Sequence, residues 1–151
     1  MEKSFRKPIP NDVHIREAGP TIVFVTVCTH QRGRWLATEE NHRLLHSVWH
    51  DARAWLIGRY VILPDHLHLF AAPGEMELPL ENWVTYWKKF FSIRHGVPEH
   101  RWLPNCWDTR LRSGESYDEK WEYVRNNPIR HGLVAQADEW PYQGELNSLD
   151  W

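Results

Sequence analysis

Apolar and polar positions alternate along the chain in a way that sorts it into short strands and longer helices. Residues 21–29 are almost wholly β-branched or aromatic, with Ile22, Val23, Phe24, Val25 and Val27 in unbroken apolar company, and they read as a central strand buried on both faces. Thr38 before Glu39 and Glu40 is a helix N-cap with acids in the first turn. Leu45, Val48, Trp49, Ala52, Trp55 and Leu56 then recur at three- and four-residue steps, which predicts a helix with one apolar face, stopped by Gly58. Residues 59–63 and 66–70 predict two strands separated by Pro64 and Asp65, a spacing suited to a hairpin. Pro79 opens a second helix striped by Leu80, Trp83, Val84, Trp87, Phe90 and Phe91, with Lys88 and Lys89 on its outer side and Gly96, Val97 and Pro98 ending it. A fourth strand is predicted over 106–112. Ser116 with Glu119 is a capping-box pattern opening a last helix through Trp121, Tyr123 and Val124, which the Asn127-Pro128 step divides and His131-Gly132 stops.

The order strand, helix, strand, strand, helix, strand, helix is the split βαβ pattern of an α+β, ferredoxin-like fold: an antiparallel-rich sheet with helices on one face. The expectation is a single domain over residues 1–151, with an irregular lead-in over about 1–19, punctuated by Pro8 and Pro10, and a short tail over about 133–151.

Composition narrows the class without naming a function. With 42% apolar and 25% charged residues the chain is an ordinary globular domain rather than a disordered one. A formal charge of −2 excludes a strongly basic nucleic-acid binder by bulk charge, though not a local basic surface. The bases are unevenly spread: residues 84–130 hold nine against six acids, while 131–151 hold four acids and no base. Ten tryptophans suit a core but also stack on bases. Cys28 and Cys106 form no CxxC pair, which points to a reduced, cytoplasmic protein. No apolar run approaches the ~20 residues of a membrane span, and the first eight residues have no signal-peptide core.

Two sets of residues could carry chemistry. His66 and His68 flank Leu67, and on a strand both would point to the same face, their Cα atoms ~6.6–7 Å apart, able to share a divalent metal with a third ligand. His-x-His alone equally describes surface or hydrogen-bonded histidines. Tyr123 and Asn127 lie four apart on one predicted helix face; a tyrosine near a cation is a usable nucleophile, and Asn127 offers an oxygen ligand. The plainer reading is a half-buried helix aromatic and a turn cap before Pro128. Asp65 is either a turn residue or a partner that orients a histidine.

Taken together, residues 60–69, with His66 and His68, the stretch Trp107-Asp108 through Arg112, and the long block 123–134 with Tyr123, Asn127 and Pro128 resemble the REP-associated tyrosine transposases, a branch of the single-tyrosine HUH transposases. Thr26, Cys28 and Thr29, and the tail Glu139-Trp140-Pro141-Tyr142, fit as well, so the resemblance runs over about residues 20–142. It implies that His66, His68 and Asn127 hold Mg²⁺ or Mn²⁺ on a scissile phosphate. Tyr123 would attack to give a 5′-phosphotyrosyl enzyme and a free 3′-OH, cutting and rejoining single-stranded hairpin DNA without ATP. Lys88, Lys89, Arg110, Arg112, Arg125 and Arg130 are the DNA-contacting residues it suggests, in a monomer or homodimer. Thr109 departs from the pattern, since many relatives have histidine there. Two other readings remain at this level: a nucleic-acid-binding module of the same fold that does not cut, and a metal-dependent hydrolase using activated water.

Overall fold

The computed structural model describes residues 21–111 and 117–149. Five strands form one antiparallel sheet in the order β4-β1-β3-β2-β5, built from β1 (Val23–Thr29), β2 (Trp55–Leu63), β3 (His66–Pro73), β4 (Trp102–Arg110) and β5 (Gln143–Glu145). The first four strands have the expected ferredoxin-like arrangement. β1 is central, hydrogen-bonded to β3 on one side and β4 on the other, as its continuous apolar run required.

Strand alternation sends two different sets of side chains to the two faces. Val23, Val25, Val27, Leu67, Leu69, Tyr60 and Ile62 pack under α1 (Glu39–Asp51) and α2 (Leu80–His95) in a core that also takes Trp49, Trp83, Trp87 and Phe91. The opposite face carries Ile22, Val61, Leu63 and Phe70, covered by Tyr117 and Val124 of α3 (Tyr117–Val124) and by Trp140. The two long helices therefore share one face, as expected. The tyrosine helix α3 and the one-turn α4 (Asn127–Arg130) lie over the other, separated at the Asn127-Pro128 step. The predicted cap Ser116 lies outside the described residues.

Three boundaries differ from the sequence pattern, each for a tertiary reason. The first helix ends at Asp51, not beyond Leu56. Trp55 and Leu56 instead pair with Pro73 and Ala72 of β3, and the Trp55 indole donates to Leu78 O at 2.7 Å. Their three- and four-residue spacing from Ala52 fits a helix face, but the sheet offers them backbone partners that a longer helix would not. A register shift between Ile57 and Tyr60 then resets which residues of β2 face α1. β4 begins at Trp102 rather than Cys106; it runs through Pro104, which an edge strand tolerates. β5 has no apolar pattern to announce it. It forms because Gly144 can lie across Tyr60, where a Cβ would come within 2.8 Å of the phenol oxygen.

The helix ends follow local chemistry. Thr38 Oγ1 accepts the Asn41 N–H at 3.0 Å, and Gly96, at φ 72°, closes α2 in the left-handed conformation that glycine adopts without strain. Tyr60 Oη is held by Nε2 of both His42 and His46, at 2.6 and 2.5 Å, tying α1 to the middle of β2. Burial pushes the Tyr60 phenol up and both imidazoles down, so the knot is neutral, with one ring donating and the other accepting. Among the described residues, no helix is long and apolar enough to cross a membrane.

Candidate active site

His66 and His68 sit on β3 opposite Cys28 and Thr26 of β1, and their rings stand side by side with centroids 4.9 Å apart. Each ring has its Nδ1 engaged. His66 Nδ1 lies 2.7 Å from Asp65 Oδ1 and His68 Nδ1 lies 2.8 Å from Thr26 Oγ1. With Nδ1–H donating in both, each Nε2 keeps a free lone pair, the arrangement that prepares histidines as metal ligands. Phe24 stacks on His68 at 5.2 Å and walls the site on one side.

Burial lowers the pKa of both rings: that of His66 against the opposing pull of Asp65, and that of His68 to well below its ordinary value, aided by the like charges of His66, His131, Arg130 and Lys120. Burial alone would raise the Asp65 carboxyl, but hydrogen bonds from His66 and Arg32 hold it below its usual range. Asp65 is thus an orienting anion as well as a turn residue. Arg32 Nε donates to Asp65 Oδ2 at 3.1 Å, and its Nη2 lies 3.4 Å from His66 Nδ1. That second approach is a contact rather than a bond, because Nδ1 already donates to Asp65.

Arg32 reaches the site from a short turn, His30–Arg32, in which Gln31 and Arg32 have φ of 54° and 56°. Two successive non-glycine residues in the left-handed region cost on the order of 1–2 kcal/mol each. Such strain persists where the surroundings impose it and is common beside functional groups.

Tyr123 lies on α3, the helix that covers this sheet face, and its side chain is 64% exposed. The Arg130 guanidinium lies over its ring, 4.2 Å from the centroid, while Arg130 Nη2 donates to Tyr123 O at 2.8 Å. The charge of Arg130 also contributes to the lowering of the His68 pKa. The contact with Tyr123 depends on the helix break: with α4 turned at Asn127-Pro128, residue 130 comes back beside residue 123. Lys120, from the same helix, stands 5.1 Å over Phe24, beside His68.

Asn127 begins α4, and its carboxamide nitrogen donates to Val124 O at 2.9 Å. It serves as the turn cap of the plainer reading, and its oxygen remains the atom with which it could meet a cation. The spacing argument that put it on one continuous helix face with Tyr123 is corrected by the break. His131, the residue that sequence spacing treated only as a helix stop, brings a third ring to 5.8 Å from that of His66. Nothing in the sequence links position 131 to 66; the turn of α4 alone does so. Among the described residues, no three His, Cys, Asp or Glu side chains are grouped so as to hold a metal ion. Two neutral imidazoles with an oxygen donor suit such an ion.

The proposed DNA contacts divide sharply. Lys88 is buried, not on the outer side of α2 where its spacing placed it; its ammonium donates to Leu103 O and Pro104 O at 2.9 and 3.2 Å. Lys89 and Arg110 are exposed. Arg125 is engaged by Glu122, at 3.5 Å, and by Asp138. Arg130 belongs to the tyrosine, and Arg112 lies outside the described residues.

Two histidines on an inner antiparallel strand and an exposed tyrosine on a later helix are the residues that carried the resemblance to the single-tyrosine HUH transposases. Comparison with known proteins shows what the chain is similar to. No family model matches the chain. It is 28% identical over 124 residues to the REP-associated tyrosine transposase of Escherichia coli (strain K12), covering 79% of this chain and 73% of that protein. It is 24% identical over 110 residues to a putative REP-associated tyrosine transposase of Haemophilus influenzae, covering 60% of this chain and 62% of the relative. A solved structure of a REP-associated tyrosine transposase bound to a REP hairpin matches 95% of this chain and 82% of its own, with TM-score 0.68 and 25% identity. The chain is therefore a homologue of the REP-associated tyrosine transposases, and the enzyme class expected from its sequence, a tyrosine transposase, stands.

Proposed function

We propose that this protein cuts and rejoins single-stranded DNA beside a hairpin, with Tyr123 as nucleophile and His66 and His68 as the core of a divalent-metal site. The observations that support this reading are an exposed Tyr123 with the Arg130 guanidinium over its ring, and two histidines of β3 whose Nδ1 atoms are engaged by Asp65 and Thr26. The hairpin-bound relative supports the substrate.

In this mechanism Tyr123 Oη bonds to the scissile phosphorus and the bond from phosphorus to the 3′ oxygen breaks. The leaving oxygen takes up a proton as a 3′-OH, and the 5′ phosphate remains on the tyrosine. Because one phosphodiester bond replaces another, the strand can be rejoined without an external energy source. Arg130 orients the phenol ring and places guanidinium N–H groups where a phosphate would approach. Asp65, itself fixed by Arg32, sets the tautomer of His66, and Thr26 does the same for His68. His66, His68 and Asn127 would hold Mg²⁺ or Mn²⁺, which when bound supplies Lewis-acid polarisation of the phosphate.

The test is incubation with labelled hairpins drawn from the repeats flanking the gene, plus Mn²⁺, followed by a denaturing protein gel. The expected result is a labelled covalent band in the wild type that is absent in Tyr123→Phe. Cleavage persisting in Tyr123→Phe without an adduct would replace tyrosine chemistry with activated water. Binding with neither cleavage nor adduct, across several hairpins, would leave a non-cutting module.

A further inference from the structure

We propose that a groove between the C-terminal end of α2 and the start of β4 is a binding site for single-stranded DNA, taking the strand that continues from the scissile phosphate beyond the hairpin. This path rests on the function proposed above, but the groove is a separate surface, on the side of the sheet that α2 covers.

The groove has a volume of about 550 Å³ and is lined by Lys88, Lys89, Arg101, Ser92, His100 and Trp102 among others, with no acidic side chain in its wall. The exposed charges of Lys89 and Arg101 outweigh the partial negative charge at the end of a helix, ~0.5 of a charge. Lys88 braces the floor by binding the carbonyls of Leu103 and Pro104, while Lys89 and Arg101 are exposed at the rim. The aromatic component is also present. His100 stacks on Trp35 with a 4° angle between planes and centroids 4.7 Å apart, and Trp102 meets Trp35 edge-on at 5.5 Å. The Trp102 indole N–H is buried and has no hydrogen-bond partner among the described residues. A cationic groove with half-exposed aromatic rings is how proteins hold single strands without reading sequence: charge tracks the phosphates while rings stack on bases.

The fold connects this groove to the active site. Trp102 pairs with Thr29 in the β1–β4 ladder, and the neighbouring Cys28 pairs with His66 in the β1–β3 ladder, so the groove and the imidazole pair lie at the same end of the sheet. Between them runs the strained turn that carries Arg32: His30 N–H donates to Arg101 O at 2.8 Å on the groove side, and Arg32 binds Asp65 on the other. His30, Arg32 and Arg34 make this connection basic, with no acid among residues 30–34. A strand leaving the imidazole pair would cross that turn around the β4 edge and enter the groove.

The experiment compares the wild type with Lys89→Gln/Arg101→Gln, two exposed substitutions that leave the packed Lys88 and Trp102 intact. Affinity is measured by fluorescence anisotropy against salt, using a bare DNA hairpin and the same hairpin with an oligothymidine extension of about eight nucleotides, within the usual site size for a single-strand groove, on either end. The expected result is that the extension strengthens wild-type binding from one end, and that the double variant loses about tenfold of affinity for that DNA alone. Its salt slope should fall by about 1.4, two single-strand phosphate contacts at ~0.7 each. Equal loss on the bare hairpin, or no loss on the extended one, overturns the groove. Covalent adduct formation by Tyr123 is scored in parallel. An extension effect that depends on Lys89 and Arg101 without any adduct keeps the groove and removes the transposase reading, whereas an adduct with no extension effect does the reverse.

Discussion

The two faces of the sheet are made from alternate residues of the same strands, yet they do different work. On β3, Leu67 and Leu69 are fully buried under α1 and α2, among Trp83, Trp87 and Phe91, while His66 and His68 between them meet Asp65 and Thr26 on the other side. The face under α1 and α2 contains the larger core cluster, and polar groups there are tied to one another in the His42-His46-Tyr60 knot. The other face has a smaller cluster, and the helix over it carries the exposed Tyr123. The comparison teaches that period-two alternation lets one strand be a structural member and an active-site wall at once, because each function uses every second residue.

Substitutions should separate the faces cleanly. The largest effect is expected from Tyr123→Phe: complete loss of the covalent DNA adduct, with thermal stability changed by no more than about 0.5 kcal/mol, since the side chain is largely exposed. Denaturant unfolding beside the gel assay checks both halves, and a destabilised variant would show that the tyrosine is structural. Trp83→Ala on the opposite face should do the reverse, costing roughly 3–5 kcal/mol in unfolding free energy through the cavity it leaves. The Trp83 ring is wholly buried and its indole donates to Ala52 O at 2.8 Å, so a small loss would contradict the packing described.

Asp65→Asn sharpens the comparison within the active face. The turn is preserved but the anion that orients His66 is removed, and Mn²⁺ affinity measured by calorimetry should weaken by roughly 10–100-fold. An unchanged affinity would assign Asp65 to the turn alone.

Acid should affect both faces. His42, His46, His66 and His68 all have folded pKa values below their ordinary one, mainly through burial. The unfolded chain therefore binds protons first, and stability is flat above about pH 7 and falls as pH drops below the unfolded value of ~6.5. His68→Gln and His42→Gln should each flatten that fall in metal-free protein, and an unchanged slope in either variant would show that its imidazole is not held below the ordinary value by the fold. The smallest effect is expected at Arg43→Ala, whose exposed pair with Glu39 at 2.7 Å should contribute within about 0.5 kcal/mol.

Much of this was legible in the chain because it is local. The Thr38 cap, the α2 stripe of Trp83, Val84, Trp87 and Phe91, the hairpin at Pro64-Asp65 and the break at Asn127-Pro128 follow from dihedral preferences and periodicity that a few neighbouring residues decide. The same-face placement of His66 and His68 follows from the strand repeat alone, and the block around Tyr123 carried the family resemblance. The groove face of Lys88 was not legible in this way, since a helical position can be polar and still be claimed by the carbonyls of a strand far along the chain.

What the sequence by itself determined, then, is which segments become strands or helices and which residue types stand ready for metal and phosphoryl chemistry. Only the tertiary structure decided that Trp55 and Leu56 leave a helix for the sheet, that a tail without apolar pattern becomes β5, and that Arg32, Arg130 and His131 arrive beside His66, His68 and Tyr123. The physical reason is separation along the chain. A cap or a stripe is settled by contacts within a turn or two, whereas these placements depend on pairings and burial between segments tens of residues apart, which no local preference encodes.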